Sequence, residues 1–160
     1  MKHLLLIISW KRTMVLSICI LAMLIVLNFY GIYTNKFYFL KPDNYIFPIL
    51  AIVHFVYLYV VQFKIREDEV PDIQMRNLEY ALYIILFVYL YKLVDSLNNL
   101  LSFAIYKDHL LPDPFKFMSV LILYLYLMLL LLTFISFKHR KDQVGKYVFD
   151  DFNQNIDSWD

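Results

Sequence analysis

Apolar positions along this chain fall into four long runs, each set off by a short polar or charged break. The first extends from Thr13 to about Tyr33, follows Lys11 and Arg12, and holds Asn28 as its one strongly polar member. The second, Tyr45 to Phe63, is entered through Lys41-Pro42-Asp43-Asn44, where proline and Asx residues favour a turn, and it carries His54. The third starts near Leu78, stays apolar to Tyr91, and becomes mixed through Lys92, Asp95, Asn98, Asn99 and Ser102. Its span is expected at 78–97, with an extension to 106. The fourth, 115–137, lies between Pro112-Asp113-Pro114 and Lys138-His139-Arg140-Lys141.

A helix rises about 1.5 Å per residue and the hydrocarbon core is about 30 Å thick, so roughly 20 apolar residues suffice to cross it. The pattern therefore predicts an all-α integral membrane protein with four transmembrane helices. Short connections favour an antiparallel up-down bundle, with residues 1–141 forming the membrane domain and 142–160 an acidic-aromatic C-terminal tail. The first run continues through Leu27, Phe29 and Tyr30 with no small-residue cleavage site, so it reads as a retained anchor. Leu4 to Trp10, beside Lys11 and Arg12, is expected to lie in the interface or to extend the first helix.

Composition agrees with the pattern. Hydrophobic residues make up 61% of the 160 positions and charged residues 18%, against about 45–50% and about 25% in ordinary soluble domains. A net charge of +1 gives no basic surface for nucleic acid. One cysteine, Cys19, excludes an intrachain disulfide and any multi-thiolate site; on an apolar helix it is expected to be a small packed side chain. No Walker, Rossmann, HExxH or GxSxG pattern occurs, so no catalysis, cofactor or metal is expected. The cluster Glu67, Asp68, Glu69 and Asp72, broken by Val70-Pro71, resembles a solvated loop.

Charge matters here by position. Lysine and arginine near a span resist translocation. The N-terminus, second loop and C-terminal tail share Lys2, Lys11, Arg12, Lys64, Arg66, Arg76, Lys138, Arg140, Lys141 and Lys146. The opposite side holds Lys36, Lys41, Lys92, Lys107 and Lys116, with no arginine. Both termini are expected on the matrix or cytoplasmic side. Abundant phenylalanine, tyrosine, isoleucine, asparagine and lysine, which have AT-rich codons, tilt the expected location to a mitochondrial inner membrane over a bacterial plasma membrane.

Ionisable groups inside the bilayer are costly and mark candidate sites. Lys92 lies roughly 21 Å along the third span counted from Leu78, shares a face with Asp95, and can pair with it or snorkel to the interface. Asn99 and Ser102 continue that stripe, which reads either as a polar membrane path or as the solvated end of a long helix. His54 falls near the midplane, where an imidazole serves as a haem ligand, a proton relay or an interhelical hydrogen-bond donor. The remaining histidines, His3, His109 and His139, lie at span ends, so a haem would need its second ligand from another subunit. Asn28 and Gln62 are expected to make interhelical hydrogen bonds. Tyr-Leu-Tyr occurs at residues 57–59, 89–91 and 124–126; residues two apart on a helix point to nearly opposite sides, so neither pair member shares a site with the other.

In the tail, Phe149, Phe152, Ile156 and Trp159 recur at spacings of three and four and would form one apolar stripe on a helix, suited to docking on a protein groove. With scarce glycine and no break deep within a span, alternating access is disfavoured. The leading expectation is a non-catalytic accessory subunit of a larger inner-membrane complex, of the respiratory or ATP-synthase kind. Its expected partners are other membrane subunits, met through helix faces and the tail, and lipids. The alternative is a small ion channel or proton-coupled carrier using Lys92, Asp95 and His54.

Overall fold

Four helices are long and apolar enough to cross a membrane, as an all-α membrane protein requires. The structure is a computed structural model describing residues 9–105 and 111–147. In chain order it contains α1 (Trp10–Asn28), a hairpin of β1 (Tyr30–Gly31) and β2 (Lys36–Phe37), a 3-10 turn (Pro42–Tyr45), α2 (Ile46–Glu67), α3 (Ile73–Ile105) and α4 (Phe115–Gln143). Residues 1–8 and 106–110, with His3, Lys107 and His109, lie outside the described residues. So do Phe149, Phe152, Ile156 and Trp159 of the tail stripe.

Local chemistry sets each helix boundary. The first helix stops at Asn28, five residues before the expected Tyr33, because the chain turns there. The Asn28 amide donates to the Asn44 carbonyl, and Tyr30 pairs with Phe37 and Gly31 with Lys36 in an antiparallel ladder. Asn35 supplies the left-handed residue of this turn, at φ 52°. Gly31 leaves room for a ring: a Cβ there would lie 2.6 Å from the Tyr38 side chain, which would have to shift. The second helix ends where Asp68 turns left-handed at φ 54° and the Glu69 N–H returns to the Lys64 carbonyl.

The third helix begins at Ile73, five residues ahead of the expected Leu78. Asp72 caps it by accepting the Met75 N–H at 2.7 Å. Lys64, at the end of α2, pairs with both Glu69 (2.8 Å) and Asp72 (2.9 Å), so the acidic loop is folded around one ammonium. The fourth helix continues six residues past the expected Phe137, through the basic cluster, to Gln143.

Each helix packs on its sequence neighbours, and α1 also packs along α4; α3 with α4 and α1 with α4 make the broadest contacts. Side-chain contacts tie opposite termini. Trp10, at the start of α1, donates from its indole to Gln62 near the end of α2 at 2.5 Å and meets the His139 ring near the end of α4. Small hydroxyl residues allow close approach where glycine is missing: Thr13 and Ser17 on α1, and Ser119, Thr133 and Ser136 on α4, are all buried. Ser119 and Thr133 donate back to carbonyls of their own helix at 2.8 and 2.7 Å, so these polar atoms are satisfied inside it. Cys19, expected to be packed, is exposed on α1.

Along α3 the outward face runs from Tyr80 and Tyr83 through Ile84, Phe87, Leu90 and Tyr91 to Val94, Leu97 and Leu101. The α4 face runs from Tyr124 through Leu127 and Leu131 to Phe134. Both outward faces are mostly bulky and apolar.

Burial alone would raise the Asp72 carboxyl, but the Met75 N–H and the Lys64 ammonium outweigh it and hold the group below its ordinary value. As pH falls, the unfolded chain therefore takes up the proton first, and the contribution present at neutral pH is lost on the way down to the folded value. Acidification below about pH 4 should lower the thermal unfolding temperature in detergent. Asp72→Ala should cost about 1 kcal/mol at neutral pH and show a smaller acid response; an unchanged acid response in that variant would contradict this account.

Candidate functional site

The helix ends that carry most of the arginines enclose a buried ion pair. Glu79 lies six residues into α3 and Arg140 near the end of α4, with only 3% and 8% of their side chains exposed, and Arg140 Nη2 donates to Glu79 Oε1 at 2.5 Å. The carboxylate accepts twice more, from Tyr83 at its Oε1 (2.9 Å) and from Tyr147 at its Oε2 (2.8 Å). Arg140 Nη1 donates to the Gly145 carbonyl at 3.1 Å, the Tyr147 ring lies 4.3 Å from the guanidinium carbon, and the buried Tyr57 hydroxyl lies beside the same group. Such a pair is tolerable away from water because most of its remaining lone pairs and protons are matched, although Arg140 Nε is buried without a partner among the described residues. Burial first, and then the hydrogen bond to Glu79, hold the Tyr147 phenol above its ordinary pKa, so it remains a donor at any physiological pH.

From the sequence alone Arg140 is only an orienting charge, Glu79 has no assigned role, and Tyr147 falls in the acidic-aromatic tail. The available signal was an isolated acid inside the apolar run, with Tyr83 four residues on and therefore on the same helix face. Tyr147 instead folds back onto α3, so the chain remains part of the helical body through that residue.

Halfway along α2, His54 is fully buried. Its Nδ1 lies 3.2 Å from the Tyr89 hydroxyl of α3, the two rings stack at 5.9 Å, and its Nε2 has no partner among the described residues. Phe47 touches both Tyr89 and Tyr126, closing an aromatic layer across α2, α3 and α4. Each Tyr-Leu-Tyr supplies one tyrosine to the interior (Tyr57, Tyr89 and Tyr126) and one to the outside (Tyr59, Tyr91 and Tyr124), as helical geometry dictates. Asn28 and Gln62 both reach other elements, as noted above.

Beyond this layer, at the opposite end, lies a cavity of about 520 Å³ bordered by the end of α1, the hairpin, the loop and 3-10 turn that precede α2, the second half of α3 and the first half of α4. Lys92, Asp95 and Asn99 line it together with Lys41, Asn28 and Tyr126. Ser102 does not; its hydroxyl donates to the Asn98 carbonyl of its own helix at 2.8 Å. Lys92 and Asp95 share a helix face, yet they form no ion pair with each other. Asn99 accepts from Tyr33 at 2.9 Å, tying the hairpin to α3. The cavity and His54 are therefore separate places, divided by Tyr89, Phe47 and Tyr126. Among the described residues, no group of three or more histidine, cysteine or acidic side chains is placed to hold a metal.

Compared with models of known protein families, with curated proteins and with solved structures, the chain matches none of them.

Removing one member of the ion pair leaves a buried charge uncompensated. Glu79→Gln or Arg140→Met should destabilise the folded protein by about 3–5 kcal/mol, read as a large fall in unfolding temperature in detergent. Tyr147→Phe should cost about 1 kcal/mol. The double variant Glu79→Leu/Arg140→Met should be less damaged than either single one; additive losses would show that the two charges are not coupled.

Proposed function

We propose that this chain is a non-catalytic structural subunit of a larger inner-membrane assembly, with an energy-transducing respiratory or ATP-synthase complex as its setting and a mitochondrial inner membrane as its first expected location. In this reading the helices form an up-and-down antiparallel bundle with both termini on the arginine-rich side. The observation that carries it is the outward face of the helices. Ile49 and Ile52 on α2, Ile84 and Phe87 on α3, and Leu127 and Leu131 on α4 leave bulky apolar surface uncovered while the interior is closed by aromatic packing. Lipid accepts such a surface, and so do neighbouring membrane subunits.

The chemistry inside the helices supports a scaffold rather than an enzyme. Its charged groups either pair with one another, as Glu79 and Arg140 do, or line one cavity at a helix end. Residues 148–160 would extend the contact to a soluble face of the partner through Phe149, Phe152, Ile156 and Trp159. Solubilised gently from its native membrane, the protein should migrate in a complex much larger than its 19.4 kDa. Deleting residues 148–160, which spares Tyr147, should weaken that association. A monomer indifferent to the deletion would overturn the proposal.

A second reading, a proton-coupled carrier, is favoured by one observation: the buried His54 Nε2 without a partner among the described residues, on a ring whose Nδ1 meets the Tyr89 hydroxyl. Liposomes containing the wild-type protein should then pass protons, and His54→Ala and Asp95→Asn should both reduce the flux. Equal, negligible flux in all three preparations would remove this reading.

A further inference from the structure

The cavity at the hairpin end combines three features that a packed structural void does not require. It carries charges of both signs. Lys92 and Asp95 stand on one face of α3, Lys41 approaches from the loop, and the only ion pair made by any of the three among the described residues is the long, exposed contact of Lys41 with Asp43 at 3.9 Å. It is also rich in neutral hydrogen-bonding groups and aromatic rings, including Asn28, Asn44 and Tyr38. Finally, its volume of about 520 Å³ falls within the roughly 300–1,000 Å³ common for small-molecule sites.

Position narrows the ligand. On α3, Asp95 is 16 residues beyond Glu79, about 24 Å along the helix at 1.5 Å per residue, so the cavity and the ion pair lie near opposite faces of one hydrocarbon layer. The loop that walls the cavity exposes Phe37, Phe39 and Leu40, the last 97% exposed, and these apolar side chains favour the headgroup boundary over water. Leu24, Leu27 and Ile122 line the cavity from within the span. A polar chamber with an apolar floor, at headgroup depth, offers each end of an amphiphile a matching surface.

We infer that this cavity binds the zwitterionic headgroup of a phospholipid, with its phosphate between Lys92 and Lys41 and its ammonium at Asp95 among the tyrosine rings. A phosphate between two lysines and an ammonium beside a carboxylate would neutralise each charge that the fold leaves without a close partner. An aromatic wall adds attraction for either a primary or a quaternary ammonium. A purely anionic headgroup would satisfy the lysines and be repelled by Asp95. The inference does not depend on whether the chain is a subunit of a larger complex.

The test uses the full chain, purified in detergent and titrated with short-chain phosphatidylethanolamine, phosphatidylcholine and phosphatidylglycerol, with affinity and thermal shift as readouts. At least one zwitterionic lipid should bind about tenfold more tightly than phosphatidylglycerol. Asp95→Asn should erase that preference, and Lys92→Gln should weaken all three lipids. Both positions face the cavity rather than the packed core, and Lys41→Gln, on the exposed loop, provides a variant with little bearing on folding; it should weaken binding in the same direction as Lys92→Gln. Soluble phosphoethanolamine and phosphocholine form a separate arm. If either binds as tightly as its lipid, the zwitterion site stands and its ligand comes from the aqueous phase. Equal affinity for all three lipids in the wild type, or an unchanged preference in Asp95→Asn, would overturn the inference.

Discussion

Burial of the Glu79 carboxylate against the Arg140 guanidinium is the constraint around which the helices are arranged. In hydrocarbon there is little hydrophobic drive for one helix to prefer another over lipid, so polar contacts and close packing decide which faces meet. A lone carboxylate at this depth would be strongly unfavourable, and so would a lone guanidinium. Meeting each other, with Tyr83, Tyr147 and the Gly145 carbonyl matching most of what remains, they set the register of α3 against α4. Trp10 and Gln62 draw α1 to α2 at the same end, and the Lys64 ammonium holds the α2–α3 corner to Glu69 and Asp72.

With that end tied, the other end is free to be hollow. There the chain leaves α1 early, folds a short hairpin, and returns through a 3-10 turn, and the space between these elements and the second half of α3 is the polar cavity. An aromatic layer of Phe47, Tyr89 and Tyr126 separates the two regions. The asymmetry is one of packing: one end is tied by buried polar contacts, while the other leaves a cavity lined by charged and polar groups. His54 belongs to the stiff interior by its contacts with Tyr89, although its second nitrogen is left without a protein partner.

Much of the fold was legible in the residues. Run lengths located four helices, because the hydrocarbon thickness fixes how many apolar residues a crossing needs. The Tyr-Leu-Tyr segments announced their own division into inward and outward tyrosines, since a spacing of two turns a side chain to nearly the opposite side. Boundaries were less legible: Asp72 starts α3 early by capping Met75, and Asn28 ends α1 early by reaching Asn44, and both effects need partners that hydropathy does not register. The stripe of Lys92, Asp95 and Asn99 was visible as one helix face. That it borders a chamber with Lys41 and Asn28, and that Ser102 turns back to its own helix, was not.

By itself, then, the sequence determined that four helices are long and apolar enough to cross a membrane and that basic residues are unevenly shared among the segments between them, because each of these follows from local composition and helical period. Only the tertiary structure decided which charges meet. Glu79 and Arg140 are 61 residues apart and Glu79 and Tyr147 are 68 apart, and no periodicity links such positions. Their encounter depends on how the helices rotate and slide against one another, a choice made by packing and by the cost of leaving a charge alone in oil.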